Sequence, residues 1–232
     1  MYNERMFTST KTIGTEAIPL SNIPLFSGLG EQEIQAISHH AVTKRFVKNT
    51  VVINEGDNSD SLYVILSGRV KIYLSDEDGK EVILNNQGPG DYFGELALID
   101  EEPRSASVMT TEDCKLSIIN KHDFAACLQK HPEIALSLIK DLSQRMRSLT
   151  ENVKSLALMD VYGRVARTLL NLSVEEDGKL VIQERLTQKD IANMVGASRE
   201  MVSRILKDLS IGGYITVDKK RITINERLPA AW

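Results

Sequence analysis

From residue 132 to residue 159 an apolar side chain recurs every third or fourth position, at Ala135, Leu138, Leu142, Met146, Leu149, Val153 and Leu156. Lys140, Arg145, Arg147, Glu151 and Lys154 stand between them. That is a helical period, and Pro132 suits a first helical turn. A helix of this length rises about 40 Å. The stripe is narrow and sustained, like the seam of a coiled coil. Residues 132–159 are therefore expected to form a dimerisation helix, the alternative being a helix packed only on its own domain. The segment also divides the chain, because the patterns on its two sides differ.

On the N-terminal side, residues 1 to about 19 are polar and weakly patterned, so a flexible segment over 1–22 is expected. Residues 23–29 and 31–41 give a short helical start. From about Thr43 the pattern changes to brief β-rich runs at 50–54, 61–67, 69–75, 81–85, 105–110 and 114–120. Turn residues separate them at Gly56-Asp57, Gly68, Asp78-Gly79 and Gly88-Pro89-Gly90. Many short strands with glycine-rich corners predict a β-roll or jelly roll over 23–131. A helical cap over 121–129 closes it before His131-Pro132.

On the C-terminal side, the run Asp160-Val161-Tyr162-Gly163-Arg164 breaks the period and reads as a hinge, followed by a helix at 165–172 and a solvated loop at Glu175-Glu176-Asp177-Gly178. Residues 187–209 read as two short helices around a tight turn at Gly196. The second opens with Ser198-Arg199-Glu200, and Arg204 follows one turn later. A helix of that width fits the major groove of B-DNA, where arginine can donate twice to guanine and a carboxylate can accept from cytosine N4. Ser198 can cap this helix; Gln188 and Ser203 are candidate phosphate contacts. A small hairpin after Gly212-Gly213 reads as the wing of a winged helix-turn-helix over 160–232, with a basic tip at Lys219-Lys220-Arg221. The fold class expected is α+β: roll, long helix, winged helix-turn-helix.

Charge supports this division. The whole chain has a net charge of −4, which argues against a non-specific DNA coat. Residues 1–159 carry a net −6 and residues 160–232 a net +2, so the groove reader sits in the basic part, as phosphate attraction requires. The two cysteines, Cys114 and Cys127, form no CxxC or Cys/His cluster, so no metal site is implied and core thiols are expected. His39, His40, His122 and His131 are expected at surface or capping positions. No run approaches 18 apolar residues, and no basic-then-apolar leader opens the chain, so no membrane contact and a cytoplasmic location are expected.

A second cluster lies in the β-rich part: Gly94, Glu95, Leu96 and Ala97, then Arg104 and Ser105. Gly94 allows a turn that a side chain would block. Backbone amides around Glu95, Leu96 and Ala97 can form an anion nest, and Arg104 can fork onto two phosphate oxygens. Glu95 beside an anion makes sense when the ligand also carries a hydroxyl, such as a ribose 2′-OH. The residues alone leave a second reading open, an Arg104–Glu95 salt bridge between two loops.

The glycine-spaced roll, GELA with RSA, the long helix, LMDVYGR at 158–164 and SREMVSRILKDL at 198–209 together resemble the CRP/FNR family of bacterial transcription regulators. The likeness covers nearly everything after Ile23. It implies a homodimer paired through the long helix, with one cyclic nucleotide in each roll. Glu95 would hold the ribose 2′-hydroxyl, Arg104 and Ser105 the cyclic phosphate, and Gly94 and Ala97 the turn. The family's adjacent threonine and serine at the base correspond to Leu149 and Thr150, so one hydroxyl is lost. Cyclic AMP is the expected effector, with cyclic GMP or cyclic di-GMP as alternatives. A DNA-binding regulator indifferent to any ligand is a further alternative. Arg199, Glu200 and Arg204 match the base-reading residues, which implies TGTGA-like half-sites in an inverted repeat of double-stranded DNA, with RNA polymerase as a downstream partner. Catalysis is not expected, since no cluster of metal-ligating carboxylates and histidines accompanies the pocket.

Overall fold

The computed structural model describes residues 19–58, 60–183, 186–218 and 221–228. The expected flexible segment falls largely outside them. Two single 3₁₀ turns, Leu20–Asn22 and Pro24–Phe26, precede α1 (Glu31–His40). The roll follows: β1 (Val42–Phe46), β2 (Val51–Ile53), β3 (Ser61–Ser67), β4 (Val70–Ser75), β5 (Glu81–Gln87), β6 (Tyr92–Phe93), a short helix α2 (Leu96–Ile99), β7 (Ser107–Thr110) and β8 (Cys114–Asn120). These strands form two antiparallel four-stranded sheets, ordered β1-β8-β3-β6 and β2-β7-β4-β5. Strands that alternate between the two sheets bury their inward residues against each other: Ile65, Val70, Phe93, Val108 and Leu116 make the inner core. Cys114 and Cys127 are both buried, and burial pushes the Cys114 thiol up to about 11.

Next come α3 (Lys121–Lys130) and the long helix α4 (Pro132–Leu158). The stripe read from the sequence divides in two. Ile134 and Leu138 are buried with Phe26, Leu62, Ile119 and Phe124 in the core between the roll and its helices, and Leu142 packs on the edge of that cluster. The face that stays open holds Ile139, Met146, Leu149, Val153 and Leu156. Ile139, Met146 and Val153 are seven residues apart, as are Leu142, Leu149 and Leu156, which are the two columns of a heptad seam. Leu138 belongs to the intrachain core, Ala135 is half-buried, and Ile139 joins the open face.

The hinge is shorter than the sequence suggests. Met159 and Asp160 alone separate α4 from α5 (Val161–Leu172). Asp160 caps α5 by accepting from the Gly163 N–H at 2.7 Å, and Gly163 lies buried inside the helix rather than breaking it. Arg164 fastens the junction, donating to the carbonyls of Met159 at 2.9 Å and Val195 at 2.8 Å. The C-terminal domain continues with β9 (Val174–Glu176), β10 (Lys179–Ile182), α6 (Gln188–Val195), α7 (Arg199–Ile211), β11 (Ile215–Asp218) and β12 (Arg221–Ile224). β9 occupies part of the expected solvated loop, and the sheet runs β11-β12-β10-β9. Val165, Leu169, Ile182, Ile191, Val202 and Leu209 fill the core beneath it. Gly196 takes φ +62° at the end of α6, the left-handed conformation that turns the chain into α7.

The two halves touch. On α6, Asn193 donates to the Glu81 carboxylate of β5 at 3.1 Å, and the same oxygen accepts from Lys71 of β4.

Candidate functional site

A cavity of about 750 Å³ lies between the roll and α4, within the size range of small-ligand pockets. Gly94, Glu95, Leu96, Ala97, Arg104 and Ser105 all border it, so the structure brings these sequence-selected residues to one place. Leu149 borders it from α4. Thr150 does not border the cavity of its own chain: it is exposed, and its hydroxyl donates to the Met146 carbonyl at 3.0 Å.

Local sequence explains the turn. Gly94 has φ +84°, a conformation glycine reaches without steric cost. It delivers Glu95 to the start of α2, where the Glu95 carbonyl accepts from the Leu98 and Ile99 amides and the Leu96 and Ala97 amides, the first two of the helix, have no partner within it. Arg104 is only 4% exposed. Its guanidinium donates to the carbonyl of Gly94 at 2.5 Å and of Ser61 at 2.6 Å, and so ties the Gly94 turn to the start of β3 from the cavity wall. Arg104 is a structural clamp as well as a cation at the site.

The partner of Glu95 is the residue that sequence reasoning missed. Arg145 donates to the Glu95 carboxylate at 3.1 Å and to the Asp141 carboxylate at 2.8 Å. It also donates to the Tyr92 carbonyl at 3.1 Å and lies over the Tyr92 ring. The Tyr92 hydroxyl in turn donates to Asp141 at 2.6 Å. Asp141, Arg145 and Leu149 follow each other at four-residue spacing along α4, all on the cavity side. That spacing was visible in the sequence, where Arg145 reads only as a charged flank of the stripe.

Burial pushes the Glu95 carboxyl above the usual carboxylate range, and the Arg145 guanidinium opposes the shift. The folded-state pKa thus exceeds the unfolded one. The buried anion weakens the fold above the unfolded pKa, and this penalty fades as pH falls through the folded value. Glu95→Gln removes the charge and keeps the shape. It is expected to melt at a higher temperature than wild type at pH 7, with the gain shrinking as pH drops into the acid range. Scanning calorimetry at several pH values checks this; a lower Tm at pH 7 would mean that the Arg145 pair outweighs burial.

The other candidate face is on α7. Arg199, Glu200 and Arg204 are all exposed, and Ser203 is half-buried beside them. Ser198 spends its hydroxyl as a cap, accepting from the Met201 N–H at 3.2 Å. Gln188 opens α6 half-buried. At the wing tip, Lys219 and Lys220 lie outside the described residues, and Arg221 is ion-paired with Glu176. Among the described residues no group of three or more His, Cys, Asp or Glu side chains is placed to hold a metal, and no helix is long and apolar enough to cross a membrane.

Residues 43–131 match the cyclic nucleotide-binding domain family, and residues 163–227 match the Crp-like helix-turn-helix domain family. A CRP-like cAMP-activated global transcriptional regulator of Mycobacterium tuberculosis is 35% identical over 211 residues, 89% of this chain and 94% of the relative. The chain belongs to the CRP/FNR family. This CRP/FNR member is also 36% identical to the cAMP-activated global transcriptional regulator Vfr of Pseudomonas aeruginosa, over 80% of this chain and 90% of Vfr. A solved structure of CLP, described as a c-di-GMP responsive global regulator of Xanthomonas campestris, superposes with a TM-score of 0.74 at 28% identity, covering 85% of this chain and 100% of that one. As a CRP/FNR protein the chain is a DNA-binding transcriptional regulator with a cyclic-nucleotide-binding domain, not an enzyme.

Proposed function

We propose that this regulator is a homodimer paired through α4, that each roll takes one cyclic nucleotide, foremost cyclic AMP, and that occupancy strengthens binding of the two α7 helices to an inverted repeat. The observation that carries the reading is the cavity itself. Its wall combines a buried carboxylate, Glu95, with a buried guanidinium, Arg104, and the backbone of Leu96 and Ala97 at the start of α2. A cyclic phosphate needs the cation and the amides, and a ribose hydroxyl needs the carboxylate. Leu96, Ala97 and Ser105 complete the phosphate end, and Leu149 lies along the base; Thr150 serves the partner's ligand across the seam. The relatives described as cAMP-activated support cyclic AMP. The likeness to CLP supports cyclic di-GMP as the second reading.

On DNA, Arg199, Glu200 and Arg204 read base edges of TGTGA-like half-sites, while Gln188 and Ser203 meet phosphate and Ser198 holds the helix start. A two-fold dimer places the two readers about 34 Å apart, one helical turn. RNA polymerase is the partner when the bound dimer activates. Ligand acts by binding the DNA-competent arrangement more tightly than the other.

Calorimetry of the purified protein with cyclic AMP, cyclic GMP and cyclic di-GMP, followed by a DNA shift assay with each, tests the reading. Cyclic AMP is expected to bind and to tighten specific DNA binding; no binding at millimolar concentration sinks it. Arg199→Ala is expected to cost about 1–3 kcal/mol of discrimination for the inverted repeat. Its affinity for random duplex should change much less. Equal losses on both duplexes would assign Arg199 to phosphate instead.

A further inference from the structure

Gln87 closes β5 and is 3% exposed. It borders the same cavity as Glu95 and Arg104, and its Oε1 has no hydrogen-bond partner among the described residues. Native folds seldom leave a buried carbonyl acceptor unmatched, because removing it from water without a partner is costly. Asn85, two residues earlier on the same strand, also borders the cavity, as the period of two along a strand allows. Gln87 thus stands on the cavity wall with an unmatched carboxamide oxygen held out of solvent contact, and a turn of the side chain would present that oxygen to a donor on the ligand.

We propose that Gln87 reads the base, its Oε1 accepting from the 6-amino group of adenine and its Nε2 donating to the neighbouring ring nitrogen. The proposal rests on the reading of the roll as a cyclic AMP site and names which residue recognises the base there. The other parts of the ligand do not fit. The cyclic phosphate offers only acceptors and would repel a carbonyl oxygen. A 3′,5′-cyclic ribose has one hydroxyl, the 2′-OH, which the buried Glu95 carboxylate accepts more strongly. The base edge remains. A carboxamide presents one acceptor beside one donor in a plane, the complement of the adenine amino group and its adjacent nitrogen. The apolar wall at Ile53, Ile72 and Leu84 suits the faces of a purine. With Leu149 standing where a hydroxyl is expected on α4, the roll side supplies the polar contact.

The test is isothermal calorimetry of the full-length protein with cyclic AMP and with purine riboside 3′,5′-cyclic monophosphate, which carries hydrogen in place of the amino group. Wild type is expected to bind the deamino compound roughly 3- to 10-fold more weakly, the worth of one hydrogen bond. Gln87→Leu is expected to bind both compounds alike, and more weakly than wild type binds the deamino one, because the Nε2 bond to the ring nitrogen is lost as well. An unchanged ratio in Gln87→Leu overturns the proposal, since the amino group is then read elsewhere. Should Gln87→Leu not fold, Gln87→Met takes its place. A wild-type ratio of one overturns the proposal without any variant and leaves the cyclic AMP reading intact. Failure of wild type to bind either compound overturns both.

Discussion

Gly94→Ala is expected to lower cyclic AMP affinity by about 100-fold, the loss of two charge-assisted hydrogen bonds. The reason is spatial. A Cβ on residue 94 would lie 2.3 Å from Arg104 Nη1, 3.1 Å from its Cζ and 3.1 Å from the Ser61 carbonyl oxygen. The carbonyl belongs to a strand and cannot retreat, so the guanidinium must leave the cavity wall. The backbone at φ +84° adds strain of about 1–2 kcal/mol for a side chain, which corresponds to a fall in Tm of roughly 2–8 °C for a chain of this size. The variant therefore remains folded at room temperature while losing its ligand. Calorimetric titration and a melting curve on the same preparation separate the two effects. Wild-type affinity in Gly94→Ala would mean that Arg104 is only a clamp between the Gly94 turn and β3. Arg104→Ala is a poorer probe, since it removes the carbonyl bonds to Gly94 and Ser61 together with the charge.

The double substitution Ile139→Asp, Val153→Asp is expected to convert the protein to a monomer and to weaken binding to the inverted repeat by about 100- to 10,000-fold, the avidity gained by joining two readers. Ile139 is 58% exposed and Val153 65% exposed, on one face of α4 two heptads apart. Neither borders the cavity and neither belongs to a buried cluster of its own chain, so the fold of each chain should survive. Light scattering gives the oligomeric state, circular dichroism the fold, and a DNA shift assay the affinity. A variant that stays dimeric would place the pairing surface elsewhere.

The same helix shows how far sequence reasoning reached. Its period and length were readable, because a single apolar stripe is a local property of the chain. What the stripe packs against was not readable: Ile134 and Leu138 serve the intrachain core, and Ile139 does not. Most roll strands were readable from their glycine corners. β1 was not delimited, because its VTKRF run is exposed along nearly its whole length and shows no alternation. Gly163 was mistaken for a break, since its burial beneath the second domain depends on the Asp160 cap and on Arg164 reaching Val195, contacts that no local pattern encodes. In the cavity, GELA and RSA were readable as residues that meet at one wall. The Tyr92–Asp141–Arg145 network and Gln87 come from other elements, and only the closed roll brings them beside Glu95.

One strand has a foot in each half of the molecule. β5 runs about 20 Å from end to end. Its last residue, Gln87, walls the cavity, while its first, Glu81, takes a hydrogen bond from Asn193 on α6. The strand that walls the cavity thus also receives a side chain from α6 within a single subunit. A monomeric variant would keep this contact, and Asn193→Ala, which removes it, is expected to change the response of DNA binding to nucleotide in that monomer as well as in the wild-type background.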